Sequence, residues 1–133
     1  MAMQQLIYAS RPFGYDASDL SNILAASRIR NAQADITGAL ICRPDIYMQL
    51  LEGPIGQVEN AFDRIQREDR HVEVRVLVRA QVTDRLFPHW AMLHDPSKSW
   101  LWSPKEISQG VLDRVTAREV RAVFLRLAEE TGL

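Results

Sequence analysis

The sequence predicts an α+β domain on the ferredoxin-like plan: one sheet in the order βαββαββ, two helices on one face, and two C-terminal helices on the other. Three observations lead there. Strand-length apolar runs and stretches of helical spacing alternate as strand, helix, strand, strand, helix, strand, strand, the split βαβ arrangement. A short turn, Arg43-Pro44-Asp45, joins two apolar runs, so those runs form an antiparallel hairpin. Residues 72–82 alternate strictly, with Val72, Val74, Val76, Val78, Ala80 and Val82 on one face. In this plan the first and third strands are expected to lie parallel at the sheet centre.

The elements follow in order. Residues 4–10 form the first strand, broken by Arg-Pro-Phe-Gly. Asp16 or Ser18 caps a helix running to about Gln33, with Leu20, Ile23 and Leu24 at helical spacing. Its stripe turns polar at Ser27, Arg28 and Asn31. The second strand covers 36–42 and the third 46–52. A second helix carries Val58, Ala61, Phe62 and Ile65 at i, i+3, i+4, i+7 and is expected to end near Asp69. After the alternating strand, a fifth is expected over 89–93. In the tail, Ser103-Pro104-Lys105-Glu106 and Thr116-Ala117-Arg118-Glu119 both read as capping boxes opening helices. The stretch 95–99 reads as a linker, which divides the chain at 1–95 and 96–133.

Composition narrows the function classes. Sixteen Lys+Arg against 17 Asp+Glu leaves no charge excess to draw the chain to nucleic acid or a membrane surface. One cysteine and three histidines supply neither a disulfide framework nor a zinc cluster, so no metal is expected. No signal-peptide h-region and no membrane-length apolar run is found, which places the expected protein in the cytoplasm.

Polar residues stand where core is expected. Gln49 interrupts the apolar run Tyr47-Met48-Gln49-Leu50-Leu51. A buried amide needs partners for its donors and its acceptor. In adjacent strands, Tyr8 and Gln49 meet inside the domain if both point toward the helices, and Asn31 approaches from the first helix. Glu68-Asp69-Arg70-His71 adds a guanidinium and an imidazole at the end of the second helix. Singly, each has an ordinary explanation: a rim tyrosine, a helix-end asparagine, a surface turn. Together they suit a planar ligand rich in heteroatoms. No nucleophile motif and no phosphate-binding glycine loop is present, so an enzyme is not expected.

These residues carry a resemblance. Tyr8-x-Ser10, Asn31, Ile36-Thr37-Gly38-x-Leu40, Gln49-x-Leu51-Glu52-Gly53, Arg70-His71 and Trp90-x-Met92 together resemble the BLUF domain, a blue-light photoreceptor that uses flavin, over residues 4–95. The tail resembles the helical extension of short, stand-alone members. The resemblance implies FAD bound non-covalently between the two helices. Asn31 would bond the pyrimidine edge of the ring, Arg70 the opposite carbonyl with His71 nearby, and Ile23 and Ile65 would flank the ring. Arg30 and Glu68 join the cofactor-binding set, although Glu68 stands where the family often has Asp and Arg30 holds a variable position. Gln49 would bridge Tyr8 and the flavin, and Trp90 and Met92 would exchange places beside it. Light-driven electron and proton transfer from Tyr8 would rearrange Gln49 and signal through the fifth strand and tail to a partner protein. A homodimer stays open. The tail is expected to pack on the face away from FAD, over Val72, Val74, Val76, Val78 and Val82.

Two other functions compete. A ferredoxin-like regulatory module would bind a metabolite and need no light. An acylphosphatase-type hydrolase would use an arginine after the first strand, and Arg11 stands there.

Overall fold

The computed structural model describes residues 3–12, 17–43, 45–67, 71–88, 92–95 and 101–130. Its elements are β1 (Met3–Pro12), α1 (Ala17–Gln33), β2 (Thr37–Arg43), β3 (Ile46–Gly53), α2 (Ile55–Gln66), β4 (His71–Val82), β5 (Leu93–Asp95), α3 (Pro104–Ser108), a 3-10 turn (Val111–Asp113) and α4 (Ala117–Glu130). They form one five-stranded sheet in the order β4-β1-β3-β2-β5.

The sheet corrects one expectation about direction. β1 runs antiparallel to β3, with Tyr8 opposite Gln49. The reason is topological. The crossover through α1 makes β1 and β2 run the same way, and the tight β2–β3 hairpin then reverses the chain. The β2–β5 pair is parallel and starts at Ala39 opposite Leu93. β5 thus begins later than the predicted strand, of which residues 89–91 lie outside the described part. α2 likewise stops at Gln66 rather than near Asp69.

The two faces of the sheet carry separate cores. Toward α1 and α2 lie Leu6, Tyr8, Leu40, Tyr47 and Leu51, packed with Leu24, Val58, Ala61 and Phe62. Toward the tail lie Ile7, Ala9, Ala39, Ile41, Met48 and Leu50, packed with Leu101 and with Val120, Phe124, Leu127 and Ala128 of α4. Successive strand residues alternate between the two sets, as the pleat requires. The rings of Phe87 and Phe124 meet edge-on, their centroids 6.4 Å apart.

β4 does not keep the single face its alternation predicts. Its pairing with β1 shifts register between Ile7 and Tyr8 and again between Ala9 and Arg11. Each shift inserts an extra β4 residue and changes which face its neighbours take. Val78 is buried on the tail side, whereas Val74 packs on the helix side and Val76 is exposed. Val82 is partly buried and borders a surface groove with Arg121, and the Val72 side chain lies outside the described part. Glu73, at the second irregularity, takes a left-handed backbone with φ 58°, and its carboxylate pairs with Arg11 at 3.0 Å.

Local chemistry fixes the ends of the elements that frame the helix side. α1 closes with Asp35 in the left-handed region at φ 59°. Ile36 N–H then donates to the Asn31 carbonyl at 2.8 Å and Asp35 N–H to that of Ala32 at 3.4 Å, the Schellman pattern. Asn31 is thereby held in the last turn of the helix. Gly53 permits this turn to sit against the end of β3: a Cβ there would lie 2.6 Å from the Asp35 carbonyl oxygen. In the tail, both capping boxes form, with Ser103 and Glu106 reciprocally bonded and Thr116 paired with Glu119.

Candidate functional site

The site grows from one cross-strand pair. Tyr8 on β1 and Gln49 on β3 are register partners in the two central strands, and both face the helices. Tyr8 is fully buried and Gln49 is 4 % exposed. The phenol O–H donates to Gln49 Oε1. Gln49 Nε2 donates in turn to the sulfur of Met92 at 3.4 Å. The amide has a different partner at each end, and Met92 is buried immediately before β5. Apolar rings enclose the phenol: Tyr47 stacks on it at 6.1 Å and Phe62 of α2 tilts against it at 5.4 Å.

A cavity of about 350 Å³ opens between α1 and α2 beside this core. Arg30, Asn31 and Ala34 line it from α1 and its cap, Ile36 from the start of β2, and Gln57, Asn60, Ala61 and Arg64 from α2. Asn31 is 4 % exposed. The Nε of Arg30 is buried and has no hydrogen-bond partner among the described residues. Leaving such a donor unmet is unfavourable. The lining mixes the apolar Ala34, Ile36 and Ala61 with amide side chains and two guanidinium groups, which suits a ligand that is part apolar and part polar.

The structure brings several of the expected residues together. Tyr8, Gln49 and Met92 form one hydrogen-bonded chain; Arg30 and Asn31 line the cavity; Ile65 packs on the helix-side core. Ile23 lies in α1 and His71 opens β4, opposite Pro12, but both side chains are outside the described part. Glu68, Arg70 and Trp90 are outside the described residues altogether. Arg11 lines a surface pocket with Glu73, Arg75 and Asp113 on the strand side away from this cavity's lining. It is 58 % exposed and paired with Glu73.

Three residues near the site escaped selection from the sequence. Glu52 is fully buried at the end of β3. Its carboxylate accepts from Gln5 Nε2 at 3.0 Å, from Leu86 N–H at 2.8 Å and from Phe87 N–H at 2.9 Å. It ties the loop after β4 to the sheet, and its signal was the same as that of Gln49: a polar residue in an apolar strand. Arg85 secures the same loop, bonding Thr37 Oγ1, the Glu52 carbonyl and the Asp35 carbonyl and carboxylate. Arg28 of α1 donates from Nε to the Met92 carbonyl at 3.1 Å. Arg28 stands on the stretch where the stripe of α1 turns polar, without a role of its own there, and nothing in the sequence marks Arg85.

A family profile described as "Sensors of blue-light using FAD" matches residues 3–93, the whole sheet up to the start of β5. The chain belongs to the BLUF family. Among curated relatives, it is 36 % identical over 85 residues to the photoactivated adenylate cyclase subunit beta of Euglena gracilis, which covers 63 % of this chain and 10 % of that protein. The alpha subunit of the same organism is 32 % identical over 69 residues, 52 % of this chain and 7 % of that one. The chain thus spans about a tenth of the length of the curated relatives it matches. Among solved structures, BlrB, a BLUF protein in its dark state, superposes with a TM-score of 0.82 at 27 % identity over 96 % of both chains. A bacterial light-regulated adenylyl cyclase superposes with a TM-score of 0.70 at 26 % identity, over 91 % of this chain and 36 % of that one. The BlrB match includes the tail, so the helices after the sheet belong to an arrangement that this BLUF protein shares. The fold and the family match thus agree over residues 3–93.

Proposed function

We propose that the chain binds FAD in the cavity between α1 and α2 and switches through Tyr8 and Gln49. The observation that carries this is the buried chain of hydrogen bonds from Tyr8 through Gln49 to Met92. When bound, the flavin supplies the blue-light absorption and, once excited, a strong oxidant. Tyr8 is the electron and proton donor of the site, because its phenol is the oxidisable group already hydrogen-bonded to the amide. Gln49 is the relay. Its amide both donates and accepts, so reorientation exchanges its partners without changing its charge. Turned end for end, it would direct Oε1 at the Met92 sulfur, which has no hydrogen to donate. Met92 therefore loses its partner when the amide turns and carries the change into β5.

Asn31 and Arg30 hold the flavin nucleotide from α1, with Ile65 as an apolar wall. Ile23, Glu68, Arg70 and His71 complete the set by resemblance, and Trp90 shares with Met92 the place beside Gln49. Tyr8 and Gln49 are regenerated in each cycle, so the chain consumes no substrate. Residues 1–95 act as the flavin-binding unit and 96–133 as the extension that reads it out to a protein partner, in the cytoplasm. α4 supports that role because it packs directly on the sheet face opposite the site. Among the described residues no helix is long and apolar enough to cross a membrane. The metabolite-binding alternative gains no specific support, and the arginine that the hydrolase alternative would use, Arg11, is paired with Glu73.

The test is spectroscopic. The purified protein is expected to carry FAD and to show a small red shift of the flavin band under blue light that reverses in darkness. A colourless protein, or a flavin band unmoved by light, contradicts the proposal.

A further inference from the structure

Met92 is held at two atoms by two elements. Its sulfur accepts from Gln49 Nε2 of β3 at 3.4 Å, and its backbone carbonyl accepts from Arg28 Nε of α1 at 3.1 Å. The ladder between β2 and β5 begins only at Leu93, so the Met92 carbonyl lies just before the parallel pairing. Arg28 supplies a partner there from outside the sheet. Its side chain is exposed as a whole, yet it turns Nε to the backbone of a residue that is 1 % exposed. An exposed arginine that spends its donor on one buried carbonyl 64 residues away holds that peptide in place.

We propose that Arg28 is a positioning residue of the photocycle. It latches the Met92 peptide so that the sulfur stands opposite Gln49, and it sets how quickly that arrangement is restored after light. This rests on the reading of Tyr8, Gln49 and Met92 as the switch. When the Gln49 amide turns, the Met92 side chain loses its donor while the Arg28 bond to the backbone is untouched. The peptide then stays near its place and the sulfur has a short path back. Without Arg28, both the bond to the sulfur and the bond to the carbonyl are absent in the rearranged state, and the residue must find its position again before Gln49 can return.

The experiment measures dark recovery of the flavin band after a blue-light pulse in the full chain. Wild type is compared with Arg28→Ala, Arg28→Lys, Met92→Leu and the Arg28→Ala/Met92→Leu pair. Recovery of Arg28→Ala is expected to be slower by about five-fold or more, a barrier change well within the reach of one charge-assisted hydrogen bond. Arg28→Lys, which keeps a cationic donor, is expected to fall between the two. In the Met92→Leu background, which has no sulfur to place, adding Arg28→Ala is expected to change the rate by less than about two-fold. A merely structural role would slow recovery equally in both backgrounds, and that result overturns the inference. So does wild-type recovery in Arg28→Ala. Both are distinct from failure of the underlying reading, in which wild type itself shows no reversible shift.

Discussion

Tyr8 donates its phenolic hydrogen to Gln49 Oε1 across the central pair of strands, and the other end of the same amide reaches the sulfur of Met92. The three groups lie on different strands or at their edges, yet form one buried line from the middle of the sheet to the start of β5. A phenol and an amide inside an apolar core are tolerable because each satisfies the other. Their value lies in the amide, which can bond the Tyr8 hydroxyl in either orientation but reaches the Met92 sulfur as a donor in only one.

Gln49→Leu removes both bonds at once. The leucine fits an apolar strand, but the Tyr8 hydroxyl loses its acceptor. The variant is expected to fold and retain flavin while losing the light-induced red shift, measured as a light-minus-dark difference spectrum. A normal shift would remove the amide from the mechanism.

Asn31→Ala tests the cavity wall. The main-chain carbonyl of residue 31 closes α1 by accepting from Ile36 N–H, and the substitution leaves that bond in place. Only the buried side chain facing the cavity is lost. Flavin occupancy after extensive dialysis is expected to fall about ten-fold or more, with little change in helix content by circular dichroism. Unchanged occupancy would mean that the ring is held elsewhere.

Glu52→Ala is a stability test. The carboxylate is the shared acceptor for Gln5, Leu86 and Phe87. Its removal leaves buried donors unmet, and unfolding in urea is expected to show a loss of about 3 kcal/mol or more. A loss below about 1 kcal/mol would show that the loop after β4 is secured by Arg85 alone.

What the sequence revealed and what it hid follow from how each interaction is encoded. Gln49 was legible because an amide in the run Tyr47 to Leu51 contradicts its surroundings, and Tyr8 because it faces Gln49 once the strand order is known. The helix side of the sheet followed from the spacing of Val58, Ala61 and Phe62, all buried as expected. The relative direction of β1 and β3 was misjudged, although crossover and hairpin connectivity together determine it. The two register shifts in β4 were hidden, because an uninterrupted alternation gives no sign that the partner strand slips beside it. Asp35 at the end of α1 escaped notice for a similar reason: the left-handed cap usually takes glycine, and here an aspartate fills it. The bonds of Arg28 and Arg85 were illegible, although Arg28 itself stood out on the polar end of its stripe, because each reaches backbone carbonyls remote in sequence. Such contacts depend on tertiary placement and leave no local pattern.

In the proposed switch, the Tyr8 hydroxyl drives the change at Gln49. The most direct measurement of this role is the light-minus-dark absorption spectrum of Tyr8→Phe, recorded beside wild type at equal flavin occupancy. Phenylalanine keeps the ring packed between Tyr47 and Phe62 and removes only the oxygen. The variant is expected to be folded and flavin-loaded, with no long-lived red shift. A red shift of wild-type size in Tyr8→Phe would contradict this role of the hydroxyl.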